Sequence, residues 1–129
     1  MGKALQKFVS RQDELTWEAT RQGDADVLRC AGAFSLVSHE QLDAFGKRAK
    51  ASDAKRLVMD MREVAHMDSA GLGVIAMIIK HMMAGGRTLA LVPSPQVRNL
   101  IVSTGLDKVL LLADSIPAAL DARPDSPAA

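Results

Sequence analysis

Three short, nearly continuous apolar runs, RLVMDMR (56–62), TLALVP (88–93) and KVLLLAD (108–114), are separated by the helix-length segments SAGLGVIAMIIKHMM (69–83) and PQVRNLIVSTG (95–105). Runs this short and this apolar suit strands covered on both faces, as in a parallel sheet. Parallel neighbours in turn need a crossover of a dozen or more residues, usually a helix. The alternation therefore predicts an α/β fold: a mixed, mostly parallel sheet with right-handed crossovers and helices packed on it.

The upstream part supplies a different start. LTWEATRQGDADVLRCAGAF (15–34) reads as a β-hairpin, with Leu15, Trp17 and Ala19 alternating before the turn residues QGDAD and an extended Val27–Phe34. In SHEQLDAFGKRAK (38–50), Ser38 and Gln41 have the spacing of a capping box, and Leu42, Phe45 and Ala49 share one face of an amphipathic helix. Downstream, Gly85-Gly86 should end the helix begun at Ser69. Ser94 and Pro95 should open the next helix, Gly105 should stop it, and Ser115 should cap a last short helix, IPAALDA (116–122). The predicted order is β-β-α-β-α-β-α-β-α, in one domain over 13–122. An extension covers 1–12, and a disordered tail is expected over 123–129.

Composition narrows the function classes. Sixteen Lys and Arg against fifteen Asp and Glu leave a net charge of +1, and three Phe and one Trp with no Tyr offer few rings for stacking bases, so nucleic-acid binding is not expected. The N-terminus lacks a continuous apolar signal region and VIAMII is too short to span a bilayer, so a cytoplasmic protein without membrane insertion is expected. Cys30 lies in a strand-like run, as a small buried hydrophobe would. His39, His66 and His81 have no metal-ligand spacing, and no metal or cofactor is expected.

The stretch MDSAGLG (67–73) admits several chemistries. Gly71, Gly73 and Ala76 satisfy G-x-G-x-x-A, yet Leu91, Val92, Pro93 and Ser94 offer no carboxylate for a ribose where the next strand ends. A phosphate-binding P-loop needs a lysine directly after its glycine, and the first lysine here is Lys80. A nucleophile elbow needs glycine where Met67 stands, and no Asp and His follow in triad order. What remains is a helix cap by Asp68 or Ser69, with glycines permitting close packing. The helix is also apolar nearly all round, with Leu72, Ile75, Ile79 and Met82 on one face and Val74, Met77, Ile78 and His81 on another. So little chain can hardly bury it twice, which predicts a partner on its free face.

Asp60, then Asp68-Ser69-Ala70-Gly71-Leu72-Gly73, then Gly85-Gly86 and Thr104-Gly105-Leu106, in this order, resemble the STAS domain of bacterial anti-sigma factor antagonists. The resemblance spans about Leu15 to Leu120. It implies that Ser69 is a phosphoacceptor for an anti-sigma factor serine/threonine kinase, that phosphorylation releases that partner, and that a PP2C-type phosphatase reverses it. It further implies a partner surface from Ser35, Met67, Asp68, Ala70, Gly71, Leu72, Gly73 and Met77, with no catalytic residue and room for a weak homodimer. The chain departs from the family's G-E-[LI]-D at the second strand's end, where it reads Gly32-Ala33-Phe34-Ser35 and both acidic positions are lost. Two alternatives stand beside the switch: an unphosphorylated STAS subunit of a membrane-transport ATPase or signalling scaffold, and a small-molecule binder at the open end of the sheet.

Overall fold

The computed structural model describes residues 14–123. The expected extension 1–12 and all but the first residue of the expected tail lie outside them. Five strands cross one sheet in sequence order: β1 (Thr16–Gln22), β2 (Ala25–Phe34), β3 (Arg56–Met67), β4 (Thr88–Pro93) and β5 (Leu111–Leu112). β1 and β2 form the antiparallel hairpin, turning at Gly23 with φ +63°, and every other pairing is parallel. The mixed, mostly parallel α/β sheet expected from the alternation is the observed one.

The helices are α1 (His39–Ala51), α2 (Ser69–Ala84), α3 (Pro95–Ser103) and α4 (Ile116–Asp121). Each crossover advances the chain by one strand in the same direction, so crossovers of one hand stack α1, α2 and α3 on one face. There Leu28, Leu57, Met59 and Leu91 from the sheet meet Phe45, Ile75, Ile78, Met82 and Ile101 from the three helices. Trp17 and Phe34 flank Phe45 edge-on, with ring centroids 5.8 and 5.2 Å away. Across the sheet Val27, Val58, Ala90 and Val92 pack with Ala113 and with Ala119 of α4. Cover on both faces is why the central strands read as unbroken apolar runs.

Most helix signals operate as expected. Ser94 Oγ accepts from Val97 N–H at 3.3 Å and Ser115 Oγ from Ala118 N–H at 3.2 Å. Gly86 (φ +66°) and Gly105 (φ +79°) take the left-handed conformation past the ends of α2 and α3.

Four expectations are corrected. The segment EVAHM continues β3, pairing with β2 as far as Phe34↔Met67 through two register shifts. Pairing with β4 stops at Met61↔Pro93, so this half of the strand is half-covered and lacks the apolar run by which strands are recognised. KVLLLAD shrinks to a two-residue β5 after a 3-10 turn at Leu106–Lys108, because it pairs only with Ala90 and Leu91 at the sheet edge. Ser38 precedes α1 but makes no side-chain cap, since its buried hydroxyl accepts from Leu15 N–H at 2.9 Å and anchors the start of β1. Finally, α2 is covered twice after all. Ile78 is fully buried, and Gly46 of α1 lets the two helices approach so closely that a Cβ there would stand 3.3 Å from Met77 Cε and 3.5 Å from Val74 Cγ1. Of the face expected to require a partner, only a strip with Met77 remains open.

Candidate functional site

A single residue joins the end of β3 to the first residue of α2, so Asp68 must leave the strand and cap the helix at once. Its extended backbone (φ −127°, ψ −169°) allows this. One carboxylate oxygen accepts from Ala70 N–H at 3.0 Å and Gly71 N–H at 3.2 Å, and the other from Leu36 N–H at 3.1 Å. The first pair satisfies orphan donors at a helix end where negative charge is favoured. The third bond ties the turn after β2 to α2.

Burial pushes the Asp68 pKa up, but the N–H groups of Leu36, Gly71 and Ala70, with His66 nearby, outweigh it and hold the carboxyl below its usual range. Two buried carboxylates away from this junction behave alike. For Asp26, burial is outweighed by Ser52, Arg48 and Arg21; for Asp60, by Arg62 at 2.8 and 2.9 Å, with Arg29 contributing. A carboxyl whose pKa is lowered by folding stabilises the native state above its unfolded value, and that contribution disappears as pH falls through the folded value. Thermal unfolding is expected to be insensitive between about pH 7 and 5 and to shift to lower temperature below about pH 4. Asp68→Asn, Asp26→Asn and Asp60→Asn should each flatten part of that acid limb; an unchanged limb in all three would remove these carboxylates as its cause.

The two glycines of the motif serve unlike purposes. A Cβ on Gly71 would lie 2.1 Å from the Phe34 carbonyl oxygen and 2.8 Å from Phe34 Cδ1, so α2 touches β2 through a bare backbone. A Cβ on Gly73 would meet nothing within 4 Å, so close packing inside the chain does not require it.

Ser69 is the first residue of α2 and is exposed, with no hydrogen bond from its hydroxyl to any described residue. Of the two candidate caps, Asp68 is the one. Gly73 and Met77 follow Ser69 along the exposed side of α2 at intervals of four residues, while Asp68, Ala70 and Leu72 are half-buried. Met67, Gly71 and Ser35 are interior, so they can shape a surface but not form it. Ser35 sits between Phe34 and Leu36, which both touch the first turn of α2, and its hydroxyl is the one buried side-chain oxygen without a partner among the described residues. Leu36 (66% exposed) and Val37 (75%) were not singled out in the sequence, although they stand in the open beside the Asp68 bridge. The signal was available: two consecutive apolar residues between a strand and a helix start, belonging to neither periodicity.

Because the strand order never reverses, the sheet has no switch point at which crossovers diverge to open a ligand crevice. The site is an exposed hydroxyl on a capped helix, bordered by an apolar pair and an exposed helical strip. Among the described residues no cluster of three or more His, Cys, Asp or Glu is placed to hold a metal, and no helix is long and apolar enough to cross a membrane.

The model of the STAS domain matches residues 16–119. The chain belongs to the STAS domain family. Solved structures with the same fold include an anti-sigma factor antagonist from Mycobacterium paratuberculosis, 25% identical over 84% of this chain and 92% of that one, with a TM-score of 0.76. The phosphorylated form of the Bacillus cell fate determinant SpoIIAA is 22% identical, over 82% of this chain and 97% of that one (TM-score 0.62). A sulfate transporter family protein from Wolinella succinogenes is 18% identical over 78% and 85% of the two chains (TM-score 0.66). The second and third similarities carry the fold alone. Within this STAS domain, Asp68 to Gly73 form the junction between the third strand and the second helix.

Proposed function

We propose that this STAS protein is an anti-sigma factor antagonist and a partner switch rather than an enzyme. In the cytoplasm its unphosphorylated form binds an anti-sigma factor serine kinase and frees a sigma factor. Phosphorylation of Ser69 by that kinase, with ATP as donor, releases the partner, and a PP2C-type phosphatase resets the protein. The observation that carries this reading is Ser69 itself: exposed, without a hydrogen bond from its hydroxyl to a described residue, and held on the first turn of a helix whose capping is done by its neighbour.

That arrangement separates modification from folding. A phosphoryl group adds about −1.5 to −2 charges. The helix N-terminus tolerates negative charge, and no side-chain bond to a described residue is given up at Ser69. In a complex the same charge would have to be desolvated beside the Asp68 carboxylate and against the apolar side chains of Leu36 and Val37, which opposes association. Ser69, Gly73 and Met77, with Leu36 and Val37, form the contact surface; Met67, Gly71 and Ser35 support it from beneath.

The second reading, an unphosphorylated STAS interaction subunit of a transporter or scaffold, is favoured by Ala33 and Ser35. Both are buried and neither carries the acidic group that the antagonist pattern places there. Incubation of the purified protein with its cognate serine kinase and ATP, followed by intact-mass measurement, separates the two. The switch requires one added phosphate, absent in Ser69→Ala. Wild-type protein that binds the kinase yet gains no phosphate would leave the subunit reading.

A further inference from the structure

A hollow among the described residues lies far along α2 from Ser69, where the helix meets the 3-10 turn at Leu106–Lys108 and the edge strand β5. It encloses about 410 Å3, within the usual range for small-molecule sites. Buried Ile79 and Leu110 form its floor, and exposed Met83 and Val109 form its rim. A second hollow shares Ile79, Met83 and Val109 with it, so the two adjoin as a groove beside the helix.

Three cations border that groove, Arg87 and Lys108 on the first hollow and Lys80 on the second. None of them forms an ion pair with a described residue. The Arg87 guanidinium is oriented by the carbonyl oxygens of Ser52 and Ala54, neutral acceptors that fix its position. The lining has no aromatic ring to stack a planar ligand, and the thioethers of Met82 and Met83 adapt to a flexible chain. An apolar trough whose cationic rim has no ion pair with a described residue is complementary to a chain with an anionic head.

We propose that this groove binds a single-chain anionic amphiphile, an acyl chain headed by a carboxylate or phosphate. The chain lies over Ile79 and Leu110, and the head group sits at the cationic rim. The site is separate from Ser69 and does not depend on the switch.

The test is a titration of the purified protein with sodium dodecanoate below its micelle-forming concentration, followed by calorimetry and amide chemical shifts. Saturable one-to-one binding is expected, with shifts confined to the end of α2, the start of β4 and residues 106–111. Dodecanol should bind about tenfold more weakly, as dodecanoate should to a Lys80→Glu/Lys108→Glu variant, because the head group then lacks its counter-charge. Met83→Glu, a change at an exposed side chain, should also reduce binding, whereas Ser69→Asp should leave it unchanged. Absence of saturable binding, shifts centred elsewhere, or equal affinity for the alcohol would overturn the proposal. Association only with phosphatidylglycerol vesicles would replace it with a membrane-surface contact.

Discussion

Gly71→Ala is expected to destabilise the protein by about 3 kcal/mol or more, while Gly73→Ala, two residues along the same helix, stabilises it by about 0.5–1 kcal/mol. Both substitutions remove the entropic penalty of glycine in a helix, so their intrinsic contributions are alike. They differ in what the new methyl group meets. At Gly71 it would stand 2.1 Å from the Phe34 carbonyl oxygen, a backbone atom that no rotamer change can move aside. Either α2 or the end of β2 must shift, and Asp68 binds both, through Leu36 N–H on one side and Ala70 and Gly71 N–H on the other. At Gly73 the methyl group enters open space. Urea unfolding of the two variants measures the difference directly; equal effects would mean that the contact with β2 is not what requires glycine. If Gly73→Ala keeps its stability and weakens kinase binding, the partner occupies the space that the structure leaves open.

A negative charge at Ser69 is expected to have the largest effect on binding. Ser69→Asp should weaken association with the anti-sigma factor kinase by about 100-fold, corresponding to about 2.7 kcal/mol, whereas Ser69→Ala should bind like the unmodified protein. The alanine variant gives up no hydrogen bond to a described residue. Replacing Leu36 and Val37 together by Ser should also weaken binding, by about tenfold, with little change in unfolding, since both side chains are mostly exposed. Equal kinase affinities of wild type and Ser69→Asp would sink the switch. Normal affinity of the Leu36/Val37 variant would instead move the contact surface away from the β2 turn and leave the switch standing.

Much of the fold was legible because its signals are local or periodic. The apolar runs at Arg56–Arg62 and Thr88–Pro93, the caps Ser94 and Ser115, and the stop at Gly105 each act within a few residues of themselves. The errors share one cause. Ser38 has the spacing of a cap, but its hydroxyl meets Leu15 N–H from the other end of the hairpin, a contact that spacing along a helix does not reveal. The second half of β3 lies beyond the apolar run that ends at Arg62, because β4 stops before reaching it. An outside partner was expected over Val74 and Ile78 because nothing local announces that Gly46 lets α1 close against Val74 and Met77.

The candidate site divides in the same way. By itself the sequence determined that a helix begins at Asp68-Ser69 after a strand, and that one of these two residues caps it, because a helix start is decided by the polar groups beside its free N–H donors. Only the tertiary structure decided between them. It gave Asp68 the cap and a second bond to Leu36, left Ser69 exposed, set Gly71 against Phe34 and Gly73 in the open, and placed Leu36 and Val37 beside them. Those outcomes depend on where β2 ends relative to β3, a register set by packing across the sheet between residues distant in the chain.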